Sequence, residues 1–297
     1  MTAETRAQAA LQAGPTPAQS DVLLVHGPQV PECPLVLDSP HSGFRMPADF
    51  GACLPLQDLR DGEDQYIDEL WMPAAALGIP LLAAQFPRTY IDANRHAGDV
   101  DLDLLEESWP HEHVPSGKAA LGKALVWRLM DDGRPIYDRQ LSVLEVASRI
   151  ERYHAPYHRT LRQLLDAAHG RFGRVLHLNC HSMNPVGGAM GEGGAGRPRA
   201  DFVLGDRDGS SCSADCTQAV AEHLRGLGYE VKINDPFKGV ELVRAYSDPA
   251  QGRHSLQVEI NKRVYMNPQS GEKLAHFAVL QRELMGLLEH LRHLDPS

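Results

Sequence analysis

Apolar positions along the chain follow two periods. Short runs bounded by turn residues predict strands at 22–25, 35–37, 79–84, 175–183, 202–205, 229–233 and 255–260. Spacings of three and four predict helices at 63–77, from 141 to about 170, at 213–228 and at 273–294. Acidic residues crowd the first turn of the 63–77 segment and Gly78 closes it, as the helix dipole and its left-handed cap favour. Strands and helices alternate through short connections, which predicts an α/β fold. Residues 118–130 hold short apolar pieces around Gly122 and take no clear assignment. Residues 1–20, rich in Ala, Gln, Thr and Pro, carry neither period and are expected to form a flexible tail before one α/β domain over 21–297. The glycine-rich stretch 186–197 is expected to be a loop, placed to serve as a lid.

Polar residues interrupt this pattern at a few strand ends. The apolar run from Val175 stops in Asn179-Cys180-His181-Ser182, and the run 35–37 empties into Asp38-Ser39-Pro40-His41. Carboxyl ends of strands are where such sheets collect ligands. Two strand-end histidines, with Asp61, Glu63, Asp64 and Asp68 between them, match the two-histidine, one-carboxylate set of a catalytic zinc site that keeps a position open for water. The other reading of these acids is a solvated helix start. Asp64 is the expected carboxylate, ahead of Asp68 and Glu63.

Two further groups stand out. Arg88, Asn94 and Arg95 lie within eight residues on a polar turn, where they could clamp a carboxylate or pair structurally with Asp92, Asp99 or Asp101. Glu259 interrupts an apolar strand, which makes it either a general base or a residue of an exposed edge.

Composition narrows the function classes. A net charge of −10 is the wrong sign for a nucleic-acid binder. No apolar run approaches the roughly 18 residues of a membrane helix, and the N-terminus carries no signal-peptide pattern. Five scattered cysteines suit a reducing cytoplasm, the expected location. Cys212 and Cys216 lack the second pair that a structural zinc site would use. Strand alternation turns Cys180 away from His181, which disfavours a cysteine nucleophile.

Six stretches taken together carry a resemblance: Asp38-Ser-Pro-His-Ser-Gly43, Asp64-Gln-Tyr-Ile-Asp-Glu-Leu70, Pro87-Arg-Thr-Tyr-Ile-Asp-Ala-Asn-Arg95, Pro135-Ile-Tyr-Asp-Arg139, Asn179-Cys-His-Ser-Met183 and Leu256-Gln-Val-Glu-Ile-Asn-Lys-Arg-Val-Tyr-Met266. In this order they resemble the N-formylglutamate amidohydrolase (N-formylglutamate deformylase) family, itself distantly similar to zinc carboxypeptidases and aspartoacylases. The resemblance implies a mixed central β-sheet flanked by helices, a zinc-carboxypeptidase-like fold. It implies hydrolysis of N-formyl-L-glutamate, a small anionic N-acyl amino acid, to formate and glutamate, as in histidine degradation. It assigns His41 and His181 to Zn²⁺, Glu259 to water activation, Arg88 to the scissile carbonyl, and Asn94 with Arg95 to a substrate carboxylate. Arg244 and Arg253 are expected to assist there, with Tyr265 and His254 in the pocket wall. The distant relatives carry His-x-x-Glu, whereas Phe44 stands three residues after His41; the carboxylate ligand is therefore expected from Asp64. A deacylase for another N-acyl amino acid, a carboxypeptidase-like hydrolase and a non-catalytic binding relative are the rival readings.

Overall fold

A computed structural model describes residues 21–188 and 194–294. The expected tail and the middle of the 186–197 loop lie outside the described residues.

Among the described residues, seven strands form one sheet: β1 (Leu23–His26), β2 (Leu35–Ser39), β3 (Leu81–Ala84), β4 (Val175–Met183), β5 (Phe202–Gly205), β6 (Val231–Ile233) and β7 (Arg253–Asn261). Their order is β1-β3-β2-β4-β7-β5-β6. The central four, β3, β2, β4 and β7, run parallel, while β1 and the β5–β6 pair run against them. The sheet is thus mixed, as the resemblance implied.

Flanking helices are α1 (Leu56–Leu59), α2 (Ile67–Trp71), α3 (Val143–Arg149), α4 (Ala155–Phe172), α5 (Ala214–Gly226), α6 (Glu241–Ala245), α7 (Lys262–Tyr265) and α8 (Phe277–Leu291). Among the described residues, no helix is long and apolar enough to cross a membrane.

Alternation along the strands divides the core. Leu176, Leu178 and Cys180 join Leu37, Leu256 and Val258 in a dry layer under α2, α5 and α8. The opposite face, under α4, packs Val36, Leu82 and Val175 against Leu161, Leu164 and Leu165. At the middle of this second face the side chains turn polar. Asp38, His177, Asn179, Ser255, Gln257 and Glu259 are all buried there, side by side because Asp38 pairs with Asn179, Asn179 with Gln257, and His177 with Ser255 in the parallel ladders.

Two helices differ from their expected bounds, each for a local reason. The 63–77 helix begins only at Ile67, because Tyr66 adopts a left-handed conformation (φ 66°), and Glu63 is extended. Glu63 and Asp64 therefore sit on a loop. After Trp71 the chain tightens to a 3₁₀ turn, Met72–Leu77, entered through Pro73. The segment from 141 splits into α3 and α4 around a π turn, Ile150–His154. Pro156, just inside α4, has no N–H to donate, which removes a helical rung and accommodates the wider turn.

Candidate active site

The loop after β2 carries His41. A Cβ on Gly43 would lie 2.4 Å from the Gln85 carbonyl carbon, so only glycine lets this loop pass the exit of β3. The backbone N–H of Asp64 donates to the His41 carbonyl at 3.1 Å, which ties the Asp64 loop to the His41 loop. His181 arrives from the carboxyl end of β4.

These three side chains converge. His41 Nδ1 and His181 Nδ1 are 3.1 Å apart, and Asp64 Oδ2 lies 2.9 Å from the second and 3.4 Å from the first. Such edges suit donors that share one small divalent cation at about 2.0–2.2 Å each. The far side of each ring supports this use. His41 Nε2 meets Asp92 Oδ1 at 2.6 Å, and His181 Nε2 meets Asn179 Oδ1 at 2.8 Å. With a proton on each Nε2, both Nδ1 lone pairs point at Asp64, an arrangement that asks for a cation. His41, Asp64 and His181 could therefore hold a metal ion.

Electrostatics favour the charge states that a cation needs at Asp64 and His181. Burial acts to raise the Asp64 carboxyl, but the neighbouring His181 and His41 rings outweigh it and hold Asp64 well below the usual range. Burial pushes His181 down, towards the neutral imidazole. Burial also opposes charge on Asp92, and the fields of His41, Arg88 and Arg95 overcome it. The neighbouring Glu63 is different. Burial, only partly opposed by Arg60, pushes it up to about 7, and its oxygens face Arg60 Nε at 3.1 and 3.3 Å.

The three donors open into a cavity of about 400 Å³. Among the described residues its wall carries seven cationic side chains (Arg88, Arg95, Lys118, Lys123, Arg199, Lys238 and Lys262) against four carboxylates (Glu63, Asp64, Asp131 and Glu259). An acidic protein has thus gathered positive charge at one place, where it favours an anionic ligand. Glu259 is 7% exposed, lines this cavity, and accepts a hydrogen bond from Gln257 Nε2 at 2.9 Å. Arg88 reaches Asp92 Oδ2 at 3.0 Å and stacks 4.9 Å from the centre of the Trp127 ring. Among the described residues its buried Nε has no hydrogen-bond partner.

The description "N-formylglutamate amidohydrolase" belongs to the family profile that matches residues 33–266, well over half of the chain. The chain is a member of this family. Its match runs from before His41 to beyond Glu259, so every candidate ligand and the candidate base fall inside it. The N-formylglutamate deformylases of Pseudomonas putida and Pseudomonas aeruginosa are each 30% identical to it. The first aligns over 78% of this chain and 82% of its own length, the second over 80% and 84%. A crystal structure of N-formylglutamate amidohydrolase from Ralstonia eutropha JMP134 superposes with a TM-score of 0.85 at 44% identity, covering 92% of this chain and 97% of that one.

Within this family member, the structure brings together His41, Asp64, His181, Glu259, Arg88, Asn94 and Arg95. Asp68 stays off the cavity wall, its backbone N–H donating to Ser42 Oγ. Asn94 and Arg95 line the cavity but are largely engaged within the protein. Asn94 Oδ1 accepts from the Leu242 N–H while its Nδ2 lies 3.1 Å from His181 Nε2. Arg95 donates to the carbonyls of Lys123 and Asn94.

Four expected pocket residues stand elsewhere. Arg253 opens β7, six residues and therefore about 20 Å before Glu259, and pairs with Asp166 at 2.9 Å. Arg244 is exposed and pairs with Glu241. Tyr265 is fully buried behind the wall, donating to the Gln65 carbonyl at 2.9 Å. His254 accepts from the Ser213 N–H and gathers with Cys212 and Cys216 under the opposite layer. Cys180 lies in that same dry layer, turned away from His181.

Sequence reasoning missed Asp92 as the partner of His41, having offered it only as a partner for arginine. It also missed the lysines of the wall, which are scattered from Lys118 to Lys262 and share no motif.

Proposed function

We propose that this protein hydrolyses N-formyl-L-glutamate to formate and L-glutamate, with Zn²⁺ held by His41, Asp64 and His181, as a step of histidine degradation. The observation that carries the proposal is the convergence of two Nδ1 atoms and a carboxylate oxygen at the base of a cation-lined cavity, in a chain of this family. When bound, a divalent ion there brings a water's pKa towards neutrality and polarises a carbonyl.

The chain's own groups supply the rest. Glu259 accepts a proton from the attacking water, and the resulting hydroxide adds to the formyl carbon. The charge that grows on the formyl oxygen faces the Arg88 guanidinium. Burial disfavours this cation, yet Asp92, Asp64 and Glu259 more than compensate and keep it charged. As the C–N bond breaks, Glu259 returns the proton to the leaving nitrogen. Formate and the free amine result, with no net change in the enzyme. The lysines and Arg199 on the wall provide charge for the substrate carboxylates.

Formate release from a panel of N-formyl, N-acetyl and peptide substrates, with metal analysis of the same preparation, tests this reading. A preference for N-formylglutamate and about one zinc per chain are expected. Equal turnover of acetylated or peptide substrates would reject the specific assignment.

A further inference from the structure

Asp38 lies outside the cavity wall, yet a polar chain joins it to the metal ligand His181. Its Oδ1 accepts from Asn179 Nδ2 at 2.8 Å and lies 2.7 Å from His177 Nε2. Its Oδ2 accepts from Tyr157 Oη at 2.6 Å. The other end of the Asn179 amide, Oδ1, stands 2.8 Å from His181 Nε2. All of these residues are buried, so each bond is made in a medium that amplifies it.

A primary amide has a donor end and an acceptor end, and which way it points is set by its partners. An ionised carboxylate accepts only. Burial works against the charge on Asp38, but His177, Tyr157 and Asn179 together hold its carboxyl below the ordinary value. Asp38 therefore takes the NH₂ end of Asn179 and turns the carbonyl end towards His181. That carbonyl can accept only from an Nε2–H, and an imidazole protonated there presents a lone pair at Nδ1, the atom that faces Asp64 and His41.

Asn94 works in the opposite sense. The Leu242 N–H holds its Oδ1, so its Nδ2 points at the same His181 Nε2 from 3.1 Å and favours a lone pair on that nitrogen. His181 thus stands between two amides that ask for different tautomers. The contact to Asn179 is the shorter of the two, and the carboxylate stands behind it.

From this geometry we infer that Asp38, acting through Asn179, selects the metal-binding tautomer of His181. Asp38 is a positioning residue separated from the ion by two groups, Asn179 and His181, and Asn94 is its antagonist. The inference rests on the metal reading given above.

The test is Zn²⁺ affinity, read by competition with a chromogenic chelator, alongside the His181 Nε2–H resonance of the Zn²⁺-saturated protein by ¹⁵N NMR. Asn179→Leu should weaken Zn²⁺ binding about ten- to a hundredfold, and its Nε2–H should lose protection from solvent exchange even at saturation. Asp38→Ala should do the same without touching His181, and the double variant should bind no more weakly than Asn179→Leu alone. Ser255→Ala, which meets only the far nitrogen of His177, should leave affinity within about twofold. Asn94→Ala should not weaken binding. Should Asp38→Ala fail to fold, Asp38→Asn keeps the shape and removes the acceptor-only carboxylate, and unchanged Zn²⁺ affinity in it would overturn the inference. Wild-type affinity and a protected Nε2–H in Asn179→Leu would overturn the inference alone. Zn²⁺ binding that survives His181→Ala would overturn the metal reading, and this inference with it.

Discussion

His181 and Glu259 are register partners across the parallel β4–β7 ladder. Side chains of paired residues leave the same face of a sheet about 4.8 Å apart, so this register sets the candidate base beside the candidate metal ligand. Exchanging the carboxylate for an amide keeps the shape and removes the basicity. Glu259→Gln should therefore lower kcat/KM by about 10²–10⁴-fold with metal content unchanged, checked by steady-state kinetics and metal analysis on one sample. Retained turnover in a zinc-loaded variant would reject Glu259 as the base.

Removing the metal should cost stability as well as activity. His41 Nδ1, His181 Nδ1 and Asp64 Oδ2 crowd within 3.4 Å of one another, and a cation between them binds the native state alone. Binding of that kind stabilises by about 2.7 kcal/mol when the free ligand is a hundredfold above its dissociation constant. Dialysis against a strong chelator should abolish formate release and lower Tm, and Zn²⁺ should restore both. Calorimetric scans before and after chelation measure the shift, and an unchanged Tm would count against a filled site.

Arg253 and Arg244, both expected at the substrate carboxylate, contrast with Arg88. Arg253 is tied to Asp166 at the far end of β7, and Arg244 is an exposed partner of Glu241. Arg253→Ala and Arg244→Ala should each change kcat/KM by less than about twofold, since solvent-facing pairs of this kind contribute little. Arg88→Lys keeps a charge but loses the planar group that lies against Trp127 and reaches Asp92. Its kcat should fall about tenfold or more. Kinetics on the three variants under one set of conditions separate these outcomes.

Much of this site was legible in the sequence because strands alternate. His41, His181 and Glu259 break apolar runs at strand ends, and a polar residue in such a place needs a reason. Helical spacing alone could not show that Tyr66 turns left-handed, so Asp64 read as a helix residue beside Glu63 and Asp68. Only the loop conformation separates the three. Arg253 misled because nearness in sequence to Glu259 does not say which end of a strand a residue occupies. Asp38 was read as lying just past the strand at 35–37, whereas β2 runs on to Ser39 and buries it. The network that makes burial tolerable comes from β4 and α4, well over a hundred residues away in sequence.

Acid should weaken the fold through α4. His158 stacks on His154 with ring centroids 4.1 Å apart, and each ring meets a backbone carbonyl of the active-site turn. His158 Nε2 lies 2.9 Å from the Ala93 carbonyl, and His154 Nε2 lies 2.9 Å from that of Arg95. Burial, with help from the neighbouring His154, lowers the His158 pKa to about 3, and burial lowers His154 too. In the unfolded chain a histidine titrates near 6.5. Between about 6.5 and 3, then, the unfolded state binds the proton that folded His158 refuses. The stability contributed by the neutral ring is complete above the upper value and is lost as pH falls through the window, at up to about 1.4 kcal/mol per pH unit. His158→Gln keeps an amide donor for the Ala93 carbonyl and cannot take up a proton. It should be less stable than wild type at pH 7, yet lose stability less steeply between pH 6.5 and 4.5. Urea unfolding of metal-free protein across that range gives both slopes; parallel slopes would mean that His158 does not carry the acid sensitivity.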